Sequence, residues 1–172
     1  MEGSTIIRHA TKDDMDSVAD MIQELAEFEK VEKGPNISGI DLRRDGFETD
    51  PPLFRCLVAE QINDLKKELV GYALYFSSYS TWQGRALMMR DIFIKERCRK
   101  QGVGKKLFNA VAKVASSSGC SRLEFHVLEW NDARSFYESR GARDLTAAET
   151  WRYYRLDDDA LHAAAREADI IY

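Results

Sequence analysis

The stretch Arg99-Lys100-Gln101-Gly102-Val103-Gly104-Lys105-Lys106 combines two glycines with four basic side chains, residue types that suit a phosphate cradle. The glycines let the backbone turn tightly and come close to a ligand. A helix predicted to begin at Gly102 aims its unpaired N–H groups and the positive end of its dipole at the same point. The natural guest is a pyrophosphate, which points to a nucleotide-bearing cofactor; the same residues would also make a solvated basic turn. The spacing matches neither G-x-G-x-x-G nor G-x-x-x-x-G-K-[ST], so neither the dinucleotide nor the nucleoside-triphosphate pattern fits.

The elements around this turn follow from periodicity. The segment 88–94 reads as a strand leading into it, and Leu107, Ala110, Val111 and Val114 recur at helical spacing behind it. That helix is predicted over 102–117, stopped before Gly119. Upstream, 5–8 reads as a first strand. Thr11 to Asp14 reads as a capping signal for a helix with Val18, Met21, Ile22, Leu25 and Phe28 on one face, ended at Gly34-Pro35. Ser38 and Asp41 open a second helix reaching about Asp45, and Pro51-Pro52 leads into a strand over 54–60. Strands over 69–76 and 85–94 follow, with loops expected at 61–67 and 77–82. Downstream come a strand over 123–127, a short helix over 133–139 ended by Gly141, a last strand over 151–156 and a helical tail over 159–169. The pattern predicts an α/β fold, one sheet with helices on its faces, in a single domain over 1–172.

Composition narrows the function classes. The chain has 172 residues, 44% hydrophobic and 31% charged, and no apolar run of membrane-spanning length, which argues against disorder and membrane insertion. A net charge of -4 argues against generic nucleic-acid binding, so the local basic cluster over 95–106 fits a small anionic ligand better. The start, Met1-Glu2-Gly3-Ser4-Thr5, has no basic segment leading into an apolar one, and a cytoplasmic location is the expectation. Cys56, Cys98 and Cys120 are not spaced as a metal site; reduced structural thiols and no metal are expected.

Arg99, Gly102 and Gly104 fill the pattern R/Q-x-x-G-x-G/A, and here the chain resembles the GNAT superfamily of acetyl-CoA-dependent N-acetyltransferases. The resemblance extends through Gln23 to Lys30, Asp45-Gly46-Phe47, Phe54 to Glu60, Leu128-Glu129-Trp130-Asn131, Phe136 to Ala142 and Asp144-Leu145-Thr146, in the order seen in diamine (spermidine/spermine) acetyltransferases. Phe28-Glu29-Lys30, Tyr79-Ser80-Thr81-Trp82 and Val127-Leu128-Glu129-Trp130 look more like the thialysine N-epsilon-acetyltransferase branch. The resemblance implies the GNAT fold, a central mixed sheet with helices on both faces, with acetyl-CoA as cosubstrate and a homodimer. The apolar end Ile170-Ile171-Tyr172 would suit either a partner subunit or the chain's own core.

By the same resemblance, the backbone around Ile92, Phe93 and Ile94 pairs with the pantetheine arm, and the segment Arg99, Lys100, Gln101, Gly102, Val103, Gly104 and Lys105 takes the pyrophosphate. Tyr137 is the implied general acid, since a phenol of pKa about 10 can protonate a departing thiolate. Asn131 and Arg134 are implied cofactor contacts, although Asn131 would equally cap the short helix. The interval from Asn131 to Tyr137 is one residue shorter than the family's usual spacing, so that helix must start differently.

The acceptor candidates implied by the family are Phe28, Glu29, Arg90, Asp91, Glu124, Phe125 and His126, an acidic and partly aromatic set that would attract an ammonium. Arg90 stands where diamine acetyltransferases usually carry glutamate. An arginine stays protonated, so it is no base, and it repels a polyamine. It would suit the carboxylate of an amino-acid acceptor, which it can grip with two hydrogen bonds, or it would point to solvent or a phosphate. The proton of the amine must then pass to Asp91, Glu29 or Glu124. The expected function is acetyl transfer to a primary amine of a small molecule, thialysine or a related lysine analogue. The alternatives are polyamine acetylation and a noncatalytic acyl-CoA-binding module.

Overall fold

Hydrophobic side chains that alternate between the two faces of one sheet organise the first two-thirds of the chain. The computed structural model describes residues 4–63 and 66–168. The chain divides into two compact units, Met1–His126 and Val127–Tyr172.

In the first unit, β1 (Ser4–His9) is followed by a single 3-10 turn at Lys12–Asp14 and then α1 (Met15–Phe28). The Asp14 carboxylate accepts from the Thr11 N–H at 2.7 Å and from its hydroxyl at 3.0 Å, which fixes the entry to the helix. Next, α2 (Gly39–Arg43) begins at the predicted Ser38, whose hydroxyl accepts from the Asp41 N–H. A π-type turn over Arg44–Glu48 carries the chain towards β2 (Arg55–Asn63).

Strands β3 (Lys66–Ser80) and β4 (Gly84–Ile94) are longer than periodicity indicated, and the loop expected over 77–82 shrinks to a tight turn. Pairing of β2 with β3 runs as far as Asn63 and Lys66. At the other end, the Ser80 hydroxyl accepts from the N–H groups of Trp82 and Gln83, at 3.2 and 3.1 Å, and closes the turn to β4. Polar residues there suggested a loop because a ladder satisfies backbone groups whatever the side chains. After α3 (Val103–Ser117), β5 (Arg122–Phe125) completes the sheet.

The sheet order is β1-β2-β3-β4-β5, antiparallel except for β4 and β5, which run parallel. On one face, Met15, Val18 and Met21 of α1 pack with Cys56, Val58, Tyr72, Leu74 and Phe93. On the other, Val103 at the start of α3 packs with Ala59, Val70 and Cys98. The expected mixed sheet with helices on both faces is present.

The second unit holds α4 (Ala133–Glu138), α5 (Leu145–Glu149) and α6 (Asp158–Arg166). The strand expected over 151–156 is not formed: the segment has no regular secondary structure, and Trp151, Tyr153 and Tyr154 are exposed. An aromatic, β-prone sequence becomes a strand only where an edge pairs with it. The helical tail ends at Arg166, short of the expected 169, and Ile170-Ile171-Tyr172 lie outside the described residues.

Candidate active site

Two irregularities in β4 create the site. Leu74 pairs with Asp91 and Tyr75 with Met89, so Arg90 is an extra residue, a β-bulge. The parallel pairing with β5 covers Ala86 to Met89 and stops at the bulge. Among the described residues, 91–94 therefore pair with β3 alone, and no strand covers their other edge. Such an edge offers backbone N–H and C=O groups to an extended ligand. Gly71 brings β3 and β4 close here, since a Cβ on it would lie 2.5 Å from Ile94 Cδ1 and 2.7 Å from the Phe93 carbonyl oxygen.

Behind this strand lies the glycine turn. Lys100 and Gly102 both have positive φ, 59° and 80°, and Gly102 is the N-cap of α3. Having no side chain, it leaves the first N–H groups of α3 uncapped and open to an anion. Among the described residues, Lys100 and Lys105 form no ion pair, so their charges are available to the same anion. Gln101 donates to the Arg97 carbonyl at 3.0 Å, and the Val103 side chain is buried in the core, which leaves Val103 its N–H to offer.

Arg99 is engaged within the protein. Its Nε donates to the Ile94 carbonyl at 3.0 Å, and its guanidinium lies 4.8 Å from the Phe28 ring centroid and 5.6 Å from that of Phe93. It ties the end of α1 to the end of β4 and holds the turn between them. The Ile94 carbonyl is accordingly taken.

Asp91, opposite Leu74, shares the α1 face with Tyr72 and Phe93. Burial pushes its carboxyl above the ordinary carboxylate range, and the Arg90 charge pulls it partly back. Glu29, just beyond the last turn of α1, is raised by burial and then by the Asp91 charge, with Arg90 again opposing. The two carboxylates and Arg90 thus form one electrostatic group. The Arg90 side chain is exposed and makes no hydrogen bond or ion pair among the described residues.

Tyr72, which no sequence pattern singles out, belongs to this group. Its ring is fully buried and its hydroxyl has no hydrogen-bond partner among the described residues. A tyrosine in an apolar strand reads as core, and only the pairing of β3 with β4 places it beside Asp91.

The remaining acceptor candidates lie on β5. Glu124 is paired with Arg122 at 3.0 Å, Phe125 packs edge-on against Phe108 with centroids 5.8 Å apart, and His126 follows the strand.

In the second unit, Tyr137 is buried, and burial raises its phenol above the ordinary 10.0, so it stays protonated at neutral pH. The Phe136 ring stands edge-on to it, with centroids 5.2 Å apart. The Asn131 side chain accepts from the Ala133 N–H at 2.9 Å and starts α4. Arg134 donates to the Glu129 carbonyl at 3.1 Å and pairs with Asp144 at 3.2 Å. Both side chains order their own unit.

Other chemistry is limited. The Cys56 thiol is pushed up to about 12 by burial, which makes it inert at neutral pH. Among the described residues no three His, Cys, Asp or Glu side chains group as metal ligands, and no helix is long and apolar enough to cross a membrane. An open cleft of about 400 Å³ is lined by Arg8, Asp14, Glu60, Glu68 and Lys95 among others, but these charges pair with one another. It is a structural ion-pair network rather than a reaction site.

The chain has counterparts among known proteins. The Acetyltransferase (GNAT) family model matches residues 19–142. A thialysine N-epsilon-acetyltransferase of Bos taurus is 42% identical over 165 residues, covering 93% of this chain and 96% of the relative. A spermidine/spermine N(1)-acetyltransferase-like protein 1 of Homo sapiens is 35% identical over 90% of this chain, which spans 23% of that larger protein. An integron cassette protein from the mobile metagenome of V. cholerae superposes with a TM-score of 0.73 at 23% identity, covering 95% of this chain and 99% of the other, and so shares the fold. The chain belongs to the acetyltransferase (GNAT) family, and the enzyme is an N-acetyltransferase.

Proposed function

We propose that the enzyme acetylates the side-chain amine of thialysine or a related lysine analogue, with acetyl-CoA as the acetyl donor. The observation that carries this reading is the group at the β4 bulge: two carboxylates with raised affinity for a proton, Glu29 and Asp91, beside the uncommitted guanidinium of Arg90. The carboxylates attract an ammonium, and the guanidinium takes a carboxylate in a two-pronged contact. An amino acid with a second amine carries both groups; a polyamine carries only the first. The Bos taurus relative is named for a substrate of this kind.

GNAT acetyltransferases use acetyl-CoA, and the residues present fit it. The uncovered edge at Ile92 and Phe93 would hold its pantetheine arm, and Lys100, Gly102, Gly104 and Lys105 its pyrophosphate. When bound, it supplies the acetyl group as a thioester. Asp91, aided by Glu29, takes the proton of the acceptor ammonium. At neutral pH, deprotonating an amine of pKa near 10 costs about 4 kcal/mol, so a carboxylate of raised pKa is the better recipient. Tyr137 keeps its proton and donates it to the departing sulfur. A single catalytic domain is supported by the family match, whose span runs across both units. A cytoplasmic homodimer completes the reading.

Incubation with acetyl-CoA and thialysine, lysine, spermidine, spermine or short diamines, following thiol release, tests it. Fastest release with thialysine is expected. A polyamine-first ranking would support the polyamine alternative, and coenzyme A binding without release from any amine would support a noncatalytic module.

A further inference from the structure

Tyr72 is a fully buried side chain whose hydroxyl has no partner among the described residues. Burying a hydroxyl without a hydrogen bond is unfavourable, and phenylalanine would fill the same space without that cost. The ring itself is accounted for: it packs 6.4 Å from Phe93 and against the α1 residues Met15, Val18 and Met21. The hydroxyl is the part that packing does not explain.

Strand register shows what it faces. Tyr72 pairs with Phe93 and Leu74 with Asp91, so Tyr72 and Asp91 are diagonal neighbours on the α1 face, a separation that a long side chain spans. The charged and titratable groups around Tyr72 are Asp91 from β4, Glu29 from the end of α1 and Cys56 from β2. Around Asp91 they are Arg90 and Glu29, with Arg99 on the neighbouring Phe93 ring.

We propose that Tyr72 is a positioning residue for acetyl transfer, its hydroxyl donating a hydrogen bond to the Asp91 carboxylate, directly after a small side-chain rotation or through one water. This inference rests on the assignment of Asp91 as the proton acceptor. Burial alone drives Asp91 towards its neutral form, in which it would accept no proton from the acceptor. A donor that favours the ionised carboxylate opposes that drift. Tyr72 suits the task because burial, and then the charges of Asp91, Cys56 and Glu29, keep its own proton in place.

The test is Tyr72→Phe in the full-length protein, read by melting temperature, by the pH profile of kcat/KM and by NMR titration of the Asp91 carboxyl carbon. The expected result is an unchanged or higher melting temperature, with the Asp91 titration and the acid limb of the profile moved to higher pH by about half a unit or more. An Asp91 titration identical to wild type would overturn the proposal, whether or not stability changes, because the hydroxyl would then be only a packing group. The titration needs no turnover. Absence of acetyl transfer in the wild-type protein would therefore count against the proposed function, and an unmoved titration against the role of Tyr72.

Discussion

Glu29 and Asp91, more than sixty residues apart in sequence, lie in each other's field: the Asp91 charge helps raise the Glu29 carboxyl above its ordinary value of 4.5. Arg90 opposes both shifts. Three side chains from the end of α1 and the bulge of β4 thus form one site of mixed charge. The predictions below rest on that site, on the cradle behind it and on the frame that carries both.

Tyr137→Phe keeps the ring that packs edge-on with Phe136 and removes the proposed proton donor. A kcat about a hundredfold lower or more is expected, with little change in melting temperature, because a positioned general acid contributes about 10²–10⁴. Since burial raises the phenol, Tyr137 should produce no limb in the pH profile below 10.

Gly102→Ala tests the cradle. A Cβ there meets no atom within 4 Å, so the penalty is conformational, about 1–2 kcal/mol for a non-glycine residue at this positive φ. The expected outcome is a KM for acetyl-CoA raised about tenfold, with the KM for the acceptor unchanged. Steady-state kinetics with each substrate varied in turn reads this directly.

Asp14→Asn tests the frame. Asp14 receives Arg8 at 2.7 Å and also caps the entry to α1, and the hydrogen bond from Arg8 holds its carboxyl below the ordinary 3.8. Losing a charged hydrogen bond should cost about 2 kcal/mol, or a melting temperature about 4–8 °C lower. The sign with pH is fixed: a depressed carboxyl contributes stability above its unfolded value and loses it as pH falls through its folded one. The difference between wild type and variant should therefore narrow below about pH 4 in denaturant titrations.

The glycine turn and both long helices were legible because their signals are local. Glycine at a left-handed position, basic residues before a helix and the spacing of Val18, Met21 and Ile22 all act within a few residues. What stayed hidden depends on pairing between distant segments. The bulge that exposes Arg90 exists only in the register of β3 against β4, and the burial of Tyr72 beside Asp91 follows from the same register. The strand over 151–156 failed in the opposite sense, since its aromatic pattern was present and no ladder formed there among the described residues. The short α5 was missed although Asp144 marks its start, accepting from the Ala147 N–H at 3.1 Å. Five residues are too few for helical periodicity to register.

The most direct test of the mixed-charge site compares kcat/KM for thialysine with that for the same molecule lacking its carboxylate, in wild type and in Arg90→Glu. Wild type should prefer thialysine about tenfold or more, as expected for a guanidinium–carboxylate contact of about 1.5–3 kcal/mol, and Arg90→Glu should reverse the preference. Equal use of the two acceptors by wild type, with the ratio unmoved in Arg90→Glu, would contradict the assignment of Arg90 and, with it, the amino-acid acceptor.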